Sequence, residues 1–286
     1  MRIGAKLPSS GPLPASLGIA EMARRIEAAG FASAWVSDHV VMPARIDSHY
    51  PFAPDGRATW PLDDPWYDAV VALAMAAGVT ERVELGVAVL VLPLRHPVVF
   101  AKEIASLDAL CGGRVALGVG AGWLSEEFDA LNVSFDTRGG RFDEWIALLR
   151  ACWTGRPAAF DGTHYQLPSG VRCFPTPAHE VPLLMGGISK TALRRAAQQG
   201  QGWVALQDVD ALDPVAIAAG AERLPNGHRV VLRITGSTGR HATVASALGE
   251  LGRAGVTDVV VDLDWTSDIE AISDELHRSA ATGAKP

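Results

Sequence analysis

The chain has 286 residues, a hydrophobic share of 48%, a charged share of 20% and a formal net charge of −7. That length can bury a large core in one or two domains. The composition excludes a disordered chain, and the acidic balance leaves no footprint for nucleic-acid binding. The three cysteines, Cys111, Cys152 and Cys173, make no CxxC pair. This argues against a zinc ribbon or a disulfide framework and fits a reducing cytosol. Met1–Lys6 runs straight into a strand-like segment without a signal-peptide core, and no apolar run is long enough to span a bilayer. The expectation is a cytoplasmic protein acting on a small molecule, with neither nucleic acid nor membrane as a partner.

In chain order, Arg2 to Leu7 reads as the first strand. Ser16 to Gly30 reads as a helix with Ile19, Met22, Ala23 and Ile26 on one face. The second strand is the apolar run from Ser33, which ends abruptly in Ser37-Asp38-His39. Alternation puts Ser37 and His39 on one face and Asp38 on the other. A histidine at the exit of a buried strand sits where α/β proteins place their chemistry; a hydrogen-bonded structural histidine is the plain alternative. The segment Val40 to Pro65 is long, polar and aromatic, holding His49, Tyr50, Arg57 and Trp60. Loops of this length often act as lids.

Trp66 to Gly78 reads as an Ala-rich helix and Glu84 to Leu92 as the third strand. Pro97 opens a helix where its missing N–H costs little. Phe100, Ile104, Leu107 and Cys111 form its apolar stripe, which Gly112-Gly113 end. Arg114 to Gly118 reads as the fourth strand, followed by helical segments through Trp153. Gly155 to Pro177 reads as an excursion with a small hairpin around Thr163 to Leu167. Strands at Leu183–Gly187, Trp203–Leu206, Arg229–Thr235 and Asp258–Leu263 then alternate with helices at Ser189–Gln199, Pro214–Arg223 and His241–Ala254. A last helix, opened by a Ser267-x-x-Glu270 capping pattern, runs to about Ala280. Unbroken strand–helix alternation implies parallel strands and right-handed crossovers, and eight such units predict a single (β/α)8 TIM barrel over residues 1–286.

Two glycine-rich strand exits could carry a ligand. Gly118-Val119-Gly120-Ala121-Gly122 fails the dinucleotide spacing, because Trp123 stands where the third glycine belongs. It still suits a flat ligand laid against backbone, with Trp123 as an aromatic surface; a tight strand-to-helix turn is the alternative. Gly186-Gly187-Ile188-Ser189 runs from a strand into a helix N-terminus, where N–H groups and the helix dipole favour a phosphate, or where Ser189 simply caps. A metal site would need histidines clustered at strand ends, and only His39 is so placed; His96, His164, His179 and His228 fall in loops.

Several segments together resemble the luciferase-like monooxygenase superfamily, in the branch that uses the deazaflavin coenzyme F420. They are Val36-Ser37-Asp38-His39, Leu85-Gly86-Val87-Ala88-Val89-Leu90, Arg114 through Trp123, Phe160 through Tyr165, and Pro182 to Trp203 with Gly186-Gly187 and Ala192 to Ala197. The resemblance spans Arg2 to about Trp203. It implies a TIM-like barrel with an inserted segment near Gly155–Pro177, a bound deazaflavin or flavin, a homodimer, and a non-proline cis peptide at Ala88-Val89. His39 is implied near the reactive ring carbon, with Asp38 positioning the histidine or its loop. Ala88, Val89, Gly120, Ala121, Gly122 and Trp123 are implied along the ring, and Gly186, Gly187, Ile188 and Ser189 at the phosphate. Sugar-phosphate dehydrogenases of the branch carry Glu in place of Trp123, and their sugar-phosphate-binding Lys and Arg residues have no match here, so an apolar or aromatic substrate is expected. The implied activity is F420-dependent hydride transfer. Alternatives are an FMN-dependent monooxygenase using oxygen and a non-catalytic flavin-binding protein.

Overall fold

A computed structural model describes residues 1–53 and 55–282. Ten strands are present among them: β1 (Arg2–Lys6), β2 (Ser33–Val36), β3 (Glu84–Val91), β4 (Val115–Gly120), β5 (Phe160–Asp161), β6 (Gln166–Leu167), β7 (Leu183–Gly186), β8 (Gly202–Asp208), β9 (Arg229–Thr235) and β10 (Asp258–Val261). Eight of them are parallel and close a barrel in the order β1-β10-β9-β8-β7-β4-β3-β2, while β5 and β6 form a separate antiparallel hairpin. The helices are α1 (Leu13–Ser16), α2 (Ile19–Ala28), α3 (Ala69–Ala77), α4 (Pro97–Leu110), α5 (Ser125–Ala130), α6 (Arg138–Trp153), α7 (Lys190–Gln199), α8 (Pro214–Ala221), α9 (His241–Arg253) and α10 (Ile269–Thr282). The predicted (β/α)8 barrel is the fold. Among the described residues no helix is long and apolar enough to cross a membrane.

Two apolar layers hold it. The larger lies between strands and helices; Ile3, Leu85, Phe100, Trp145 and Leu276 belong to it. The smaller fills the barrel with Trp35, Ala116, Leu184, Val204, Val231 and Val260. Gly86 serves this inner layer, since a Cβ there would lie 2.3 Å from the Trp35 ring. At the N-terminal end of the barrel Arg229 reaches the carboxylates of Glu84 and Asp258 at 2.9 and 2.7 Å. That end is thereby closed by charge, and the opposite end, where the strands exit, is left for chemistry.

Several boundaries differ from the sequence reading for physical reasons. The fourth strand runs on to Gly120 because β3 is long enough to pair with it, Leu90 opposite Val119 and Val91 opposite Gly120. Gly120, beyond the expected strand end, is therefore a strand residue. Trp66 does not belong to the third helix, which Asp68 opens by accepting from the Val70 and Val71 amides. The last helix is capped by Asp268, whose Oδ1 accepts from the Glu270 and Ala271 amides. Ser267 instead donates to Asp264. The hairpin in the excursion starts earlier than expected, pairing Phe160 with Leu167.

Candidate active site

β2 ends at Val36, and the three residues after it are each held by a different partner. Ser37 is held by Ser9, whose Oγ donates to the Ser37 carbonyl and accepts from its amide. Asp38 turns outward and is buried. One of its oxygens accepts from the Val91 amide at 3.0 Å, and both accept from the Arg95 guanidinium at 2.7 and 2.8 Å. Burial works to raise the Asp38 pKa, and the fork of charge-assisted bonds from Arg95 opposes it. Arg95 also reaches Asp68, the cap of α3, at 3.2 Å. Asp38 makes these contacts with neither the histidine nor the long loop. It ties the exit of β2 to the end of β3 and to α3.

The partner of His39 is Glu127, on the first turn of α5. His39 Nδ1 lies 3.0 Å from Glu127 Oε2, and both side chains are buried. The other carboxylate oxygen of Glu127 accepts from the Val40 and Val41 amides. A carboxylate has no proton to donate, so Nδ1 is the donor in this contact, which in a neutral imidazole leaves Nε2 as the acceptor. The preceding Glu126 accepts from the Asp47 and Ser48 amides and from the Ser48 hydroxyl. Burial opposes the Glu126 charge, but the bonds from Ser48 and Asp47 outweigh it and bring the carboxyl down to about 2. Two successive acids of α5 thus fasten the N-terminal stretch of the long loop after β2.

Trp60 of that loop, Trp66 just after it and Trp123 beyond the exit of β4 lay an aromatic cover over His39. Ring centroids lie 4.7 Å away for Trp66, 6.1 Å for Trp60 and 6.1 Å for Trp123. Tyr50 packs 5.0 Å from Trp123 and 5.2 Å from Trp60. Beneath lies the other half of the barrel mouth. Gly4 faces Ser33, so Lys6, two residues on along β1, shares that inward face. Burial and the nearby Arg233 guanidinium bring the Lys6 amine down to about 8. Arg233 is itself paired with Asp262.

The other residues marked in the sequence gather at the same end of the barrel, with one correction of reading. The peptide Ala88-Val89 is cis. A Cβ on Gly118, Gly120 or Gly186 would come within 3.3, 3.1 and 2.5 Å of the Val89 side chain. The small residues at Gly120 and Gly186 therefore make room for Val89, and it is Val89 that presents a surface inside the barrel. Gly122, at φ +90°, packs inward, where a Cβ would meet Phe128 and Val91. Ala121 is partly buried against the main core. Trp123 faces His39. Gly187 has φ +112°, Ile188 is 56% exposed, and Ser189 caps α7 by accepting from the Ala192 amide. With φ in that region any side chain at Gly187 strains the backbone, so a substitution there would not report on a phosphate alone. The N-terminus of α7 opens at this point, and a helix N-terminus offers backbone N–H groups and its dipole to a phosphate.

Glu127 and Arg95 were not singled out in the sequence. Acidic residues early in a helix read as ordinary dipole partners, and nothing local pairs Glu127 with a histidine 88 positions earlier. The one available signal was two adjacent acids right after the glycine-rich exit of β4. Among the described residues no three His, Cys, Asp or Glu side chains are grouped to hold a metal ion.

The buried histidine, its carboxylate partner and their aromatic cover thus stand together at the strand exits of the barrel. The chain belongs to the luciferase-like monooxygenase family, whose sequence profile matches residues 4–282. It is 38% identical over 183 residues to an uncharacterised protein of Mycobacterium tuberculosis, a match covering 64% of this chain and 63% of that protein. It is 37% identical over 182 residues to an F420-dependent glucose-6-phosphate dehydrogenase of Beutenbergia cavernae, covering 62% of this chain and 49% of the relative. The match thus spans about half of that dehydrogenase. An F420-dependent secondary alcohol dehydrogenase, solved with an F420–acetone adduct, superposes with a TM-score of 0.76 at 17% identity, covering 98% of both chains. At that identity the likeness is one of fold.

Proposed function

We propose that this protein is an F420-dependent oxidoreductase that moves a hydride between the deazaflavin and an organic substrate of apolar or aromatic character. The observation that carries the reading is the buried His39, its Nδ1 engaged by Glu127 and its ring walled by tryptophans. When bound, the deazaflavin would supply the hydride chemistry; Ala88, Val89 and Trp123 would lie along its ring, with Gly120 making room for Val89, and Gly186 to Ser189 would hold its phosphate. His39 Nε2 gives or takes the proton that accompanies hydride transfer, and Glu127 stabilises the imidazolium formed on the way. Asp38 keeps the histidine's strand exit in place and does not itself touch the reacting atoms. The loop from Val40 to Pro65 excludes water.

Curated relatives described as F420-dependent support this cofactor over FMN. The aromatic wall speaks for a substrate other than a sugar phosphate. F420 should bind more tightly than FMN by at least about tenfold, or about 1.4 kcal/mol. Titration of each cofactor, followed by the fluorescence of tryptophans at the barrel mouth, checks this. Tighter FMN binding with oxygen-dependent turnover would make the protein a monooxygenase instead.

A further inference from the structure

Two buried polar side-chain atoms among the described residues lack any hydrogen-bond partner, Trp60 Nε1 and Trp66 Nε1. Both belong to the cover over His39, with their rings 6.1 Å apart and 6.1 and 4.7 Å from the imidazole. Other tryptophans of the chain find acceptors for the same group. Trp35 donates to Ser33, Trp145 to the Arg95 carbonyl, Trp153 to the Ala101 carbonyl and Trp203 to the Gly187 carbonyl. Buried donors are paired in nearly all proteins, and an unpaired one costs the desolvation of its N–H. Two such costs side by side, at the one place where the fold gathers its chemistry, call for a ligand.

The orphan donors are also held in place. Trp66 pairs with Ser10 as an isolated antiparallel bridge. On either side of it the Gly11 amide donates to the Pro65 carbonyl at 3.0 Å and the Tyr67 amide donates to the Ser9 carbonyl at 2.8 Å. Ser9 in turn grips Ser37, two residues before the histidine. Trp60 is wedged between Tyr50 and Trp123. A donor pre-positioned in this way is not spent on ordering itself when an acceptor arrives.

We infer that Trp60 and Trp66 form a paired N–H subsite beside His39 that receives one acceptor oxygen of the substrate, a carbonyl oxygen in the oxidised form and the hydroxyl oxygen in the reduced form. This deepens the reading of the mouth as an oxidoreductase site and rests on it for the word substrate. The donors supply no proton; they hold the oxygen where His39 Nε2 can reach it. The surrounding rings restrict the carbon skeleton to an apolar or aromatic one.

The test uses the full chain, labelled with 15N at tryptophan, and follows indole N–H resonances by NMR. The probes are acetophenone and α-methylstyrene, alike in shape, with a carbonyl in one and a methylene in the other. Trp60→Phe and Trp66→Phe assign the two signals while keeping an aromatic ring. Saturating acetophenone should move both resonances downfield and α-methylstyrene should not. Each Phe variant should weaken acetophenone binding by about 3–10-fold and leave α-methylstyrene unchanged. Equal displacement by the two probes, or no displacement by acetophenone, overturns the subsite, and the unsubstituted protein decides this even where a variant fails to fold. If F420 alone moves both resonances and acetophenone then adds nothing, the acceptor is the cofactor's and the substrate assignment falls. A protein that answers acetophenone as described but binds neither F420 nor FMN keeps the subsite and loses the cofactor reading.

Discussion

Replacing His39 with alanine should slow turnover by about 10²–10⁴-fold, the usual worth of a positioned acid–base group, and should change cofactor affinity far less. The reason is that His39 reaches the mouth through a single ring nitrogen, its other one being held by Glu127 at 3.0 Å. Pre-steady-state measurement of hydride transfer, run beside an equilibrium titration of the cofactor, separates the two effects. Loss of binding equal to loss of rate would make His39 a scaffold residue. Glu127→Gln is the informative companion. It keeps an acceptor for the Val40 and Val41 amides but removes the charge that steadies an imidazolium. With its oxygen on those amides its NH2 faces Nδ1 and favours the tautomer with the proton on Nε2, so it should lower the rate by as much as about 10⁴-fold while leaving the fold intact.

The largest effect on stability is expected from Arg95→Met. The Asp38 carboxylate is buried and receives two guanidinium bonds, so removing Arg95 strands a charge in the protein interior. Breaking a buried pair from one side costs about 3–5 kcal/mol. Chemical denaturation should show that loss as a lower midpoint. Combining Arg95→Met with Asp38→Asn should recover a good part of it, because no unpaired charge remains and the asparagine oxygen can still accept from the Val91 amide. A double variant as unstable as the single one would mean that the cost comes from lost packing of the Arg95 stem against its neighbours.

The barrel was legible in the sequence because strand and helix periods alternate without interruption, and each strand carries its own turn signals. The strand exits carrying His39 and Gly186–Ser189 were legible for the same reason: a short apolar run that stops in polar or glycine residues marks its own end. The role of the glycines after Leu117 was not. A glycine that admits a ligand and one that admits a neighbour's side chain look alike in sequence, and here Val89 comes from another strand. Glu127 and Arg95 were invisible because their partners lie 88 and 57 positions away, and such pairings are set by barrel closure, not by local pattern. The long loop was recognisable as a cover from its length and aromatic content. That two tryptophans of the cover would carry unpaired donors depends on atom positions that no sequence spacing encodes.

A deazaflavin is the cofactor we propose for this barrel mouth. The most direct measurement is to recover the protein from a host that makes both F420 and FMN, release whatever is bound, and record its absorbance and mass. The expected result is a deazaflavin, released in proportion to protein and returned by readdition. Recovery of FMN in that proportion, with F420 absent from the purified protein and unable to displace it, would make this a flavin enzyme instead.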